Sequence, residues 1–481
     1  MSSKPFIRNV AKSGSAQFLF LSSCLLIVFS LLGGCQVALE EPVQPEVQVQ
    51  PQTTANSTLN TDGPAISPLL VGNNVWRQPG DQVWNISAQA GLQLIRIGGN
   101  AYDDNMLPTT MLANWVKRIK AMDAEPMVQV SRFDGPEAAA EIVKYFNIDG
   151  DLKVKFWNIG NEPHCGEDSL ESASDVAAYI KEISVAMKAV DPTIMIFAPD
   201  ECDFHEIYYT ALLAGDNSAS DISGKVPGQN YYYIDGISWH RYVGYPPEKL
   251  KIEQLTTAGA NDFLVRIQKT RQLIDKANQL QGRSGADALQ WGIGEFNGSE
   301  GQRVCSYENG QMFAEIYGYL MKYNGTYATT WSMYENGGKC NGTDFSFVGS
   351  DMQPRATFYH MQMISQNFSG NYLDGISNLD EIRSYGAVNL QTGQIAVMLL
   401  NIDTKGPQTC AIRLDANPIQ AGTCQVNIPA GIAVEVEQTI DSQTSMVLVF
   451  DLQGKLRKTI TYSRSEHWSN SAAPTVADFT E

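Results

Sequence analysis

The stretch VKFWNIGNEP, residues 154–163, begins with a short apolar, β-rich run, and Asn161 and Glu162 follow that run. A run of this length and composition predicts a strand buried on both faces, as in a parallel sheet. A buried strand is an unfavourable place for a carboxylate unless that group has a function there. The stretch therefore predicts a parallel β-sheet with chemistry at the carboxyl end of one strand.

Similar runs recur along the chain and alternate with helix-length amphipathic stretches. Strands that alternate with helices predict parallel βα units, and eight such strands predict a (β/α)8 barrel. The predicted strands are Leu69–Val71, Leu92–Ile97, Pro126–Val130, Val154–Ile159, Thr193–Ala198, Ile234–Trp239, Leu289–Ile293 and Tyr327–Trp331. A doubly wound open sheet is the structural alternative, but no glycine-rich phosphate-binding motif follows the first strand.

The pattern changes after Phe368, where short alternating runs are separated by turn residues. Seven such runs without helices predict an antiparallel β-sandwich. Residues 36–66 are rich in Pro, Gln and Thr, lack aromatic side chains and predict a disordered linker. The expected organisation is a leader at 1–35, the linker at 36–66, a catalytic barrel at 67–368, the sandwich at 369–463 and a polar tail at 464–481.

The first 35 residues have the pattern of an export signal. Three basic residues and no acidic ones precede an apolar run of about 15 residues, a length typical of a signal peptide and short for a membrane-spanning helix. The run ends in Leu-Gly-Gly-Cys, which resembles a bacterial lipobox, so lipidation of Cys35 is expected. A plain secretory signal with an incidental cysteine is the alternative. The expected location is the cell envelope, at the outer membrane of a Gram-negative bacterium, with the lipid as the sole membrane contact.

Composition narrows the possible classes of protein. The 481 residues are 43% hydrophobic and 18% charged, which is typical of a globular chain and excludes a disordered, collagen-like or coiled-coil protein. The formal net charge is −18, with 34 Lys and Arg against 52 Asp and Glu. Such a surface repels phosphate backbones, so nucleic acid is not an expected partner.

Six cysteines follow the leader, and sequence alone allows 15 pairings of them. Nearest-neighbour pairing is favoured because the first two pairs would each join loops that follow adjacent barrel strands. The favoured pairs are Cys165–Cys202, Cys305–Cys340 and Cys410–Cys424. Zinc is the alternative for the first pair, since His164 adjoins Cys165 and His205 follows Cys202 by three residues.

Glu295 follows the seventh predicted strand, in WGIGEFN at 291–297, as Glu162 follows the fourth. The carboxyl ends of barrel strands meet at one face, so the two glutamates are expected to face each other across the barrel mouth. Carboxylates about 5–5.5 Å apart are typical of a retaining glycosidase, in which one attacks the anomeric carbon and the other protonates the leaving oxygen. The pair predicts hydrolysis of O-glycosidic bonds by double displacement, which requires no metal or organic cofactor.

Asn161-Glu162-Pro163 after one strand and Glu295 at the end of another resemble the clan A glycoside hydrolases. These are retaining (β/α)8 barrels, and several of their families, including 30, 39, 51 and 79, also carry a sandwich. The resemblance implies that Glu162 is the acid/base and Glu295 the nucleophile. It also implies that Asn161 bonds the 2-hydroxyl of the sugar and that Arg96 pairs with Glu295 and keeps it ionised.

The resemblance further implies that a His or Tyr at the end of the sixth strand contacts the nucleophile or the sugar, and that a Trp after the eighth strand forms the floor of the subsite. The expected substrate-binding residues are Arg96, Asn100, Asn161, Arg132, His240, Arg241, Tyr242 and Trp331.

Several arginines follow barrel strands, including Arg132, Arg241 and Arg303. Arginine suits sulfate and carboxylate recognition, so a sulfated or uronic polysaccharide or oligosaccharide, as in algae, is one expected substrate. The alternative is that these arginines pair with neighbouring acids, namely Asp103, Asp104, Asp200 or Glu201. A transglycosylase would use the same two glutamates. A non-catalytic, glycan-binding surface lipoprotein on an inactive barrel is the alternative function, and the presence of both glutamates disfavours it.

Overall fold

The computed structural model describes residues 59–165, 172–244, 250–299, 301–335, 337–342, 344–417, 419, 422–470 and 473–479. The expected leader, its Cys35 and most of the expected linker lie outside the described residues. Within these ranges, no helix combines the length and the apolar character needed to cross a bilayer.

Eight strands form a closed barrel, and every neighbouring pair is parallel. The strands are β1 (Val71–Val75), β2 (Leu94–Ile97), β3 (Glu125–Val130), β4 (Phe156–Ile159), β5 (Met195–Glu201), β6 (Gly236–Val243), β7 (Gln290–Gly298) and β8 (Tyr327–Thr330). Pairing of β8 with β1 closes the barrel. The structure confirms the predicted (β/α)8 fold, and each predicted strand overlaps an observed one.

Helices surround the barrel between its strands. They are α1 (Asp81–Gln89), α2 (Ala101–Asp104), α3 (Thr109–Lys120), α4 (Gly135–Val143), α5 (Ala173–Val190), α6 (Glu206–Leu212), α7 (Ala260–Gln281), α8 (Tyr307–Lys322) and α9 (Ala356–Ser365). Helix α3 is an example of their amphipathic pattern. Its Leu112, Trp115, Val116 and Ile119 recur at helical spacing and are all buried, so they form one apolar face. Ser172 and Ser306 accept hydrogen bonds from the first turns of α5 and α8 and so define where these helices begin.

The barrel interior changes from apolar to polar along the strands. The apolar layer is a separate buried cluster of Leu94, Met127, Phe156, Phe197 and Tyr327. Two residues further along three of these strands stand Arg96, Gln129 and Asn158, all with no exposed surface. Because the strands are parallel, the apolar layer fills the N-terminal end of the barrel. The polar layer lies towards the C-terminal end, where the carboxylates are.

A two-sheet domain follows the barrel. Its strands are β9 (Asn371–Leu373), β10 (Ile376–Ser377), β11 (Ile382–Asn389), β12 (Gln394–Asn401), β13 (Gln408–Arg413), β14 (Cys424–Asn427), β15 (Glu435–Ile440), β16 (Thr444–Asp451), β17 (Leu456–Ser463) and β18 (Thr475–Asp478). One sheet has the order β18-β17-β16-β12-β11-β9 and the other β10-β14-β13-β15. The predicted antiparallel sandwich is confirmed, with one exception: β13 and β14 pair in parallel, with Cys410 opposite Cys424.

The sandwich extends beyond both predicted boundaries. Asn60 donates its backbone N–H to the carbonyl of Ala430, so the end of the expected linker packs on the sandwich. At the other end, residues 464–470 form helix α10 (Arg464–Asn470), and β18 pairs with β17. Most of the segment expected to be a polar tail is therefore part of the fold. The side chains of β18 are mainly exposed, which is why their pattern carried no strand signal.

A buried polar network joins the barrel to the sandwich. The Tyr307 hydroxyl, on α8, donates to the Tyr462 carbonyl at 2.5 Å and lies 3.1 Å from the Ser445 hydroxyl. The Nε2 atom of His360, on α9, lies 2.8 Å from the Ser445 hydroxyl. Burial lowers the pKa of His360 to about 4, so it is a neutral structural group at physiological pH.

Candidate active site

Two glutamates converge at the C-terminal end of the barrel. Glu162 follows β4 and Glu295 lies within β7. A carboxylate oxygen of each and a ring nitrogen of His240 lie within 4.8 Å of one another. The expectation that these strand ends face each other across the barrel mouth is therefore met. A retaining glycosidase has its two carboxyl groups about 5–5.5 Å apart and an inverting one about 6.5–9.5 Å apart, so nearest oxygens within 4.8 Å fit the retaining arrangement.

The loop that carries Glu162 has an unusual backbone. Glu162 has φ +46°, a left-handed conformation that costs free energy for any residue with a side chain. Its N–H donates to the Asp200 carbonyl at 2.7 Å, and the N–H of Asn161 donates to Asp103 Oδ2 at 3.0 Å. These two hydrogen bonds hold the loop against neighbouring elements, so the strained conformation aims the Glu162 carboxylate into the barrel mouth.

Glu162 and Glu295 have different partners. Glu162 Oε1 lies 2.8 Å from His240 Nδ1, and Asn100 Nδ2 donates to its Oε2 at 3.3 Å. Arg96 Nη1 donates to Glu295 Oε1 at 3.0 Å, and the Tyr242 hydroxyl donates to Oε2 at 2.6 Å. Glu295 therefore has a charged and a neutral donor, both of which favour its ionised form.

Asn161 faces the same network. Its Oδ1 accepts from Arg96 Nη2 at 2.5 Å, and its Nδ2 donates to Asn100 Oδ1 at 2.6 Å. These contacts orient the amide beside the two glutamates. Its expected bond to a sugar hydroxyl stays a prediction.

Asp200, which the sequence analysis did not select for a catalytic role, holds the two cations of the site. Its Oδ2 lies 2.7 Å from Arg96 Nη2, and its Oδ1 lies 3.1 Å from His240 Nε2. Asp200 is fully buried, and the charge of Arg96 keeps its pKa below the usual value despite burial. A Cβ at Gly294 would lie 2.0 Å from Asp200 Oδ1, so β7 needs glycine there. The rule that selected Glu162, an acid where a buried strand ends, would also have selected Asp200.

The adjacent Glu201 braces the loop that follows Pro163. Its carboxylate accepts the backbone N–H groups of His164, at 2.8 Å, and Cys202, at 3.1 Å. Burial raises the pKa of Glu201 to about 7, although both hydrogen bonds act in the opposite direction.

The charges of the site nearly cancel. Burial lowers the pKa of His240, but the negative charges of Glu295 and Asp200 outweigh it and raise that pKa to about 10. His240 and Arg96 are thus two cations among three carboxylates. Burial raises the pKa of Glu295, whereas the hydrogen bond from His240 lowers that of Glu162 in spite of burial. With one proton on the glutamate pair, the two positive charges cancel the two remaining negative charges. Because Glu162 and Glu295 are so close, they titrate as a pair and share that proton.

An open pocket of about 320 Å³ lies above the carboxylates, and its lining contains no basic side chain among the described residues. It is lined by Trp76, Gly98, Gly99, Asn100, Ala101, Asn161, Glu162, Tyr242, Glu295 and Trp331. Trp331 thus lies where the resemblance implied, but its placement depends on Gly99. Gly99 has φ +122°, and a Cβ there would lie 2.6 Å from the Trp331 ring.

Trp76, which directly follows β1, is a pocket residue that the sequence analysis missed. Its ring stacks on Trp331 with centroids 6.2 Å apart and an interplanar angle of 18°. Both indole N–H groups donate to Glu335 Oε2, at 3.0 Å from Trp76 and 3.2 Å from Trp331. One buried carboxylate therefore fixes two aromatic rings beside the pocket. An aromatic residue directly after the first strand is the signal that could have identified Trp76.

The structure places Arg132 and Arg241 outside the pocket lining, and their expected role as substrate ligands stays a prediction. Arg132 Nε lies 3.1 Å from Asp103 Oδ2. Arg241 pairs with Asp262 at 2.7 Å and with Asp203 at 3.1 Å. Arg303 Nε donates to the Leu250 carbonyl at 2.6 Å. Arg132 thus pairs with an acid that the sequence analysis named, whereas Arg241 pairs with two acids that it did not name and Arg303 with a backbone carbonyl.

The three predicted disulfides are confirmed. Cys165–Cys202 and Cys305–Cys340 each join two loops at the C-terminal face of the barrel, and Cys410–Cys424 lies in the sandwich. The disulfide uses the thiol groups that zinc would need, although Cys202 Sγ lies 3.8 Å from His205 Nε2.

The atoms of Glu162, His240 and Glu295 are close enough together to surround a metal ion. The chemistry of the group fits a metal poorly, because a ligating histidine must be neutral. Both ring nitrogens of His240 face carboxylates, and its raised pKa keeps it protonated.

Comparisons with known proteins identify the fold. No family model and no curated protein matches the chain. Among solved structures, the chain is similar to a family 51 α-L-arabinofuranosidase from Bifidobacterium longum, with a TM-score of 0.59 and 14% identity over 82% of this chain and 99% of that one. It is also similar to a family 44 endoglucanase from Clostridium thermocellum, with a TM-score of 0.55 and 13% identity over 81% and 97%. A family 30 subfamily 8 xylanase from Clostridium acetobutylicum gives a TM-score of 0.54 and 12% identity over 82% and 99%. The chain shares the fold of these glycoside hydrolases along nearly their whole length.

Replacing Arg96 by Leu is expected to destabilise the fold strongly. The substitution removes one of the two cations beside Asp200 and Glu295, so His240 compensates their buried charge only in part. Breaking a buried ion pair typically costs about 3–5 kcal/mol. Urea denaturation followed by tryptophan fluorescence measures the loss. The control is Lys269→Met, which removes an exposed pair with Glu206 and should change the free energy of unfolding by less than about 1 kcal/mol. Equal stability of Arg96→Leu and the wild type would contradict the central role of this ion pair.

Proposed function

We propose that the protein is a retaining glycoside hydrolase. The observation that carries the proposal is the convergence of Glu162 and Glu295, whose carboxylate oxygens lie within 4.8 Å across a pocket at the C-terminal end of a barrel. A protein that only binds glycans does not need two such carboxylates, each with its own donors. The shared fold with an arabinofuranosidase, an endoglucanase and a xylanase supports the same conclusion.

In the first step, Glu295 attacks the anomeric carbon while Glu162 gives its proton to the glycosidic oxygen. The glycosidic bond breaks, the leaving sugar departs and the remaining sugar is esterified to Glu295. Arg96 and Tyr242, which donate to the two oxygens of Glu295, favour its ionised form against the effect of burial and orient it for attack. The position of Glu162 beside Asn161, on the loop after β4, supports its assignment as the acid.

In the second step, Glu162 takes a proton from a water molecule, whose oxygen attacks the anomeric carbon and releases Glu295. The two inversions together retain the anomeric configuration. His240 lies 2.8 Å from Glu162 and 3.6 Å from Glu295, so its positive charge balances whichever carboxylate is ionised. The cluster thus keeps its total charge near zero while the proton moves.

The pocket favours a neutral sugar at the reactive position. Its lining is aromatic, amide or acidic, and Arg132 and Arg241 are engaged with carboxylates elsewhere. Trp331 and Trp76 offer apolar surface for the C–H faces of a sugar ring. The proposed substrate is therefore a neutral polysaccharide or oligosaccharide, in preference to a sulfated or uronic one.

We further propose that the chain is held at the bacterial outer membrane through a lipid on Cys35. The Leu-Gly-Gly-Cys sequence after an apolar run supports this. Cys35→Ser is expected to abolish incorporation of radiolabelled palmitate in cells and to move the protein out of the membrane fraction. Labelling of the Cys35→Ser variant equal to that of the wild type would exclude this cysteine.

Substitution of each glutamate should give a different chemical signature. Glu295→Ala is expected to lose hydrolysis of arabino-, xylo- and cello-oligosaccharides and of nitrophenyl glycosides, because no glycosyl ester forms. Glu162→Ala should lower the rate of oligosaccharide hydrolysis by about 10²–10⁴-fold. It should still form the glycosyl ester from nitrophenyl glycosides, because their leaving group needs no proton from an acid. Azide should then rescue Glu162→Ala and give a glycosyl azide of retained configuration, as read by NMR. Rescue of Glu295→Ala with retention would reverse the assignments, and undiminished turnover would remove a residue from the mechanism.

Replacing Tyr242 by Phe should shift the acidic limb of the kcat/KM profile to higher pH. The hydroxyl of Tyr242 stabilises ionised Glu295 and so lowers its pKa, together with His240 and Arg96. Without that hydrogen bond the pKa of the nucleophile rises and more of it is protonated at low pH. A hydrogen bond to a charged group of about 1.5 kcal/mol corresponds to about one pH unit. Tyr323→Phe, whose hydroxyl accepts from Gln268 outside the pocket, is the control, and an unmoved acidic limb would contradict the role of Tyr242.

A further inference from the structure

Phe133 is a large aromatic side chain that is exposed at the catalytic face of the barrel. It lies between β3 and α4, where the chain leaves the barrel mouth, and 60% of its surface is accessible. A single exposed apolar side chain is common on protein surfaces, so the meaning of this ring depends on how the protein holds it and on what it is connected to.

The turn that presents Phe133 is held by three hydrogen bonds. The Ser131 hydroxyl accepts the backbone N–H groups of Phe133, at 3.1 Å, and Asp134, at 3.2 Å. It donates its own proton to the Asp103 carbonyl at 2.7 Å. The ring is therefore exposed on a fixed backbone, which reduces the entropy lost when a ligand packs against it.

The side chain of Arg132 connects Phe133 to the Glu162 loop. Its guanidinium lies 4.5 Å from the centroid of the Phe133 ring, and its Nε donates to Asp103 Oδ2 at 3.1 Å. That same oxygen accepts the backbone N–H of Asn161. A Cβ at Gly160 would lie 2.9 Å from Arg132 Cδ, so the arginine packs directly on this loop.

We propose that Phe133 is a stacking platform for a sugar on the leaving-group side of the cleaved bond. The proposal rests on the proposed function, in which Glu162 protonates the leaving oxygen and the departing sugar lies on the Glu162 side of the pocket. Among the residues that the structure describes, Phe133 is an exposed aromatic ring connected to that side through Arg132, whereas Trp331 and Trp76 line the pocket itself. Arg132 covers part of the ring and the remaining surface is open to a sugar.

This assignment specifies the leaving group of the substrate. A platform beyond the reactive position is useful only when the leaving group is itself a sugar. The substrate is then an oligosaccharide or polysaccharide with at least one sugar on the leaving-group side. A simple glycoside with a small leaving group gains nothing from Phe133.

The test compares two substrates that differ only in their leaving group. Arabino-, xylo- and cello-oligosaccharides are paired with the arabinofuranosyl, xylosyl and glucosyl fluorides, in which the departing group is fluoride. Phe133→Ala is expected to lower kcat/KM on the cleaved oligosaccharide about 3- to 10-fold, mainly through KM, and to leave fluoride hydrolysis unchanged. Phe133→Trp should restore the oligosaccharide rate. The control is Ile148→Ala, since Ile148 is 55% exposed in the short helical turn Lys144–Asp149 at the far end of α4.

The outcomes separate this proposal from the proposed function. Equal losses on both substrates would show that Phe133 supports the catalytic loop and would overturn the platform. Unchanged rates on both substrates would overturn it as well. If the wild type hydrolyses none of the oligosaccharides or fluorides, the proposed function fails and the platform fails with it. A loss confined to oligosaccharides, absent in Ile148→Ala, supports the platform.

Discussion

Arg96 carries a positive charge in the middle of the barrel, where its side chain has no exposed surface. An isolated charge in that position would be prohibitively unfavourable, so the surrounding strands must supply its partners. Asp200 on β5 and Glu295 on β7 supply the charge, while Asn74 and Asn158 accept further hydrogen bonds at 2.8 Å and 3.1 Å. One guanidinium thereby holds residues of four other strands in a single arrangement.

Asp200 extends this arrangement to the catalytic loop. Its side chain binds both cations, and its backbone carbonyl accepts the N–H of Glu162. The strained backbone of Glu162 is stable because fixed groups on β5 and α2 surround it, including Asp103. Strain of about 1–3 kcal/mol persists only where its surroundings overdetermine the conformation. The polar layer therefore does two things at once, since it neutralises the buried charges and places the two carboxylates.

Particular residues show how far the sequence predicts the fold and the site. The eight barrel strands were recognisable because buried parallel strands are continuous apolar runs. Two of the three disulfides followed from adjacent barrel loops, and the third joins cysteines that are close together within the sandwich sequence. Strand β18 was missed because its side chains are mainly exposed and its pairing with β17 depends on backbone groups. Trp76 was missed because an aromatic residue after a strand is common, and only its contact with Trp331 and Glu335 distinguishes it. Arg132 and Arg241 looked available because their partners are distant in sequence: Arg132 and Asp103 are 29 residues apart, and Arg241 and Asp203 are 38 apart.

By itself, the sequence determined the barrel and the two glutamates at its strand ends, and it favoured the cysteine pairs that the structure has. These features are encoded locally, in the period of the hydrophobic pattern and in the position of acids relative to strands. Only the tertiary structure decided which arginines are engaged, that Asp200 joins Arg96 to His240, and that Phe133 is exposed beside the Glu162 loop. The physical reason is that charge pairing and burial depend on distances in space between elements far apart in the chain. The residue pattern of one helix or strand does not show which side chains of other elements will lie beside it.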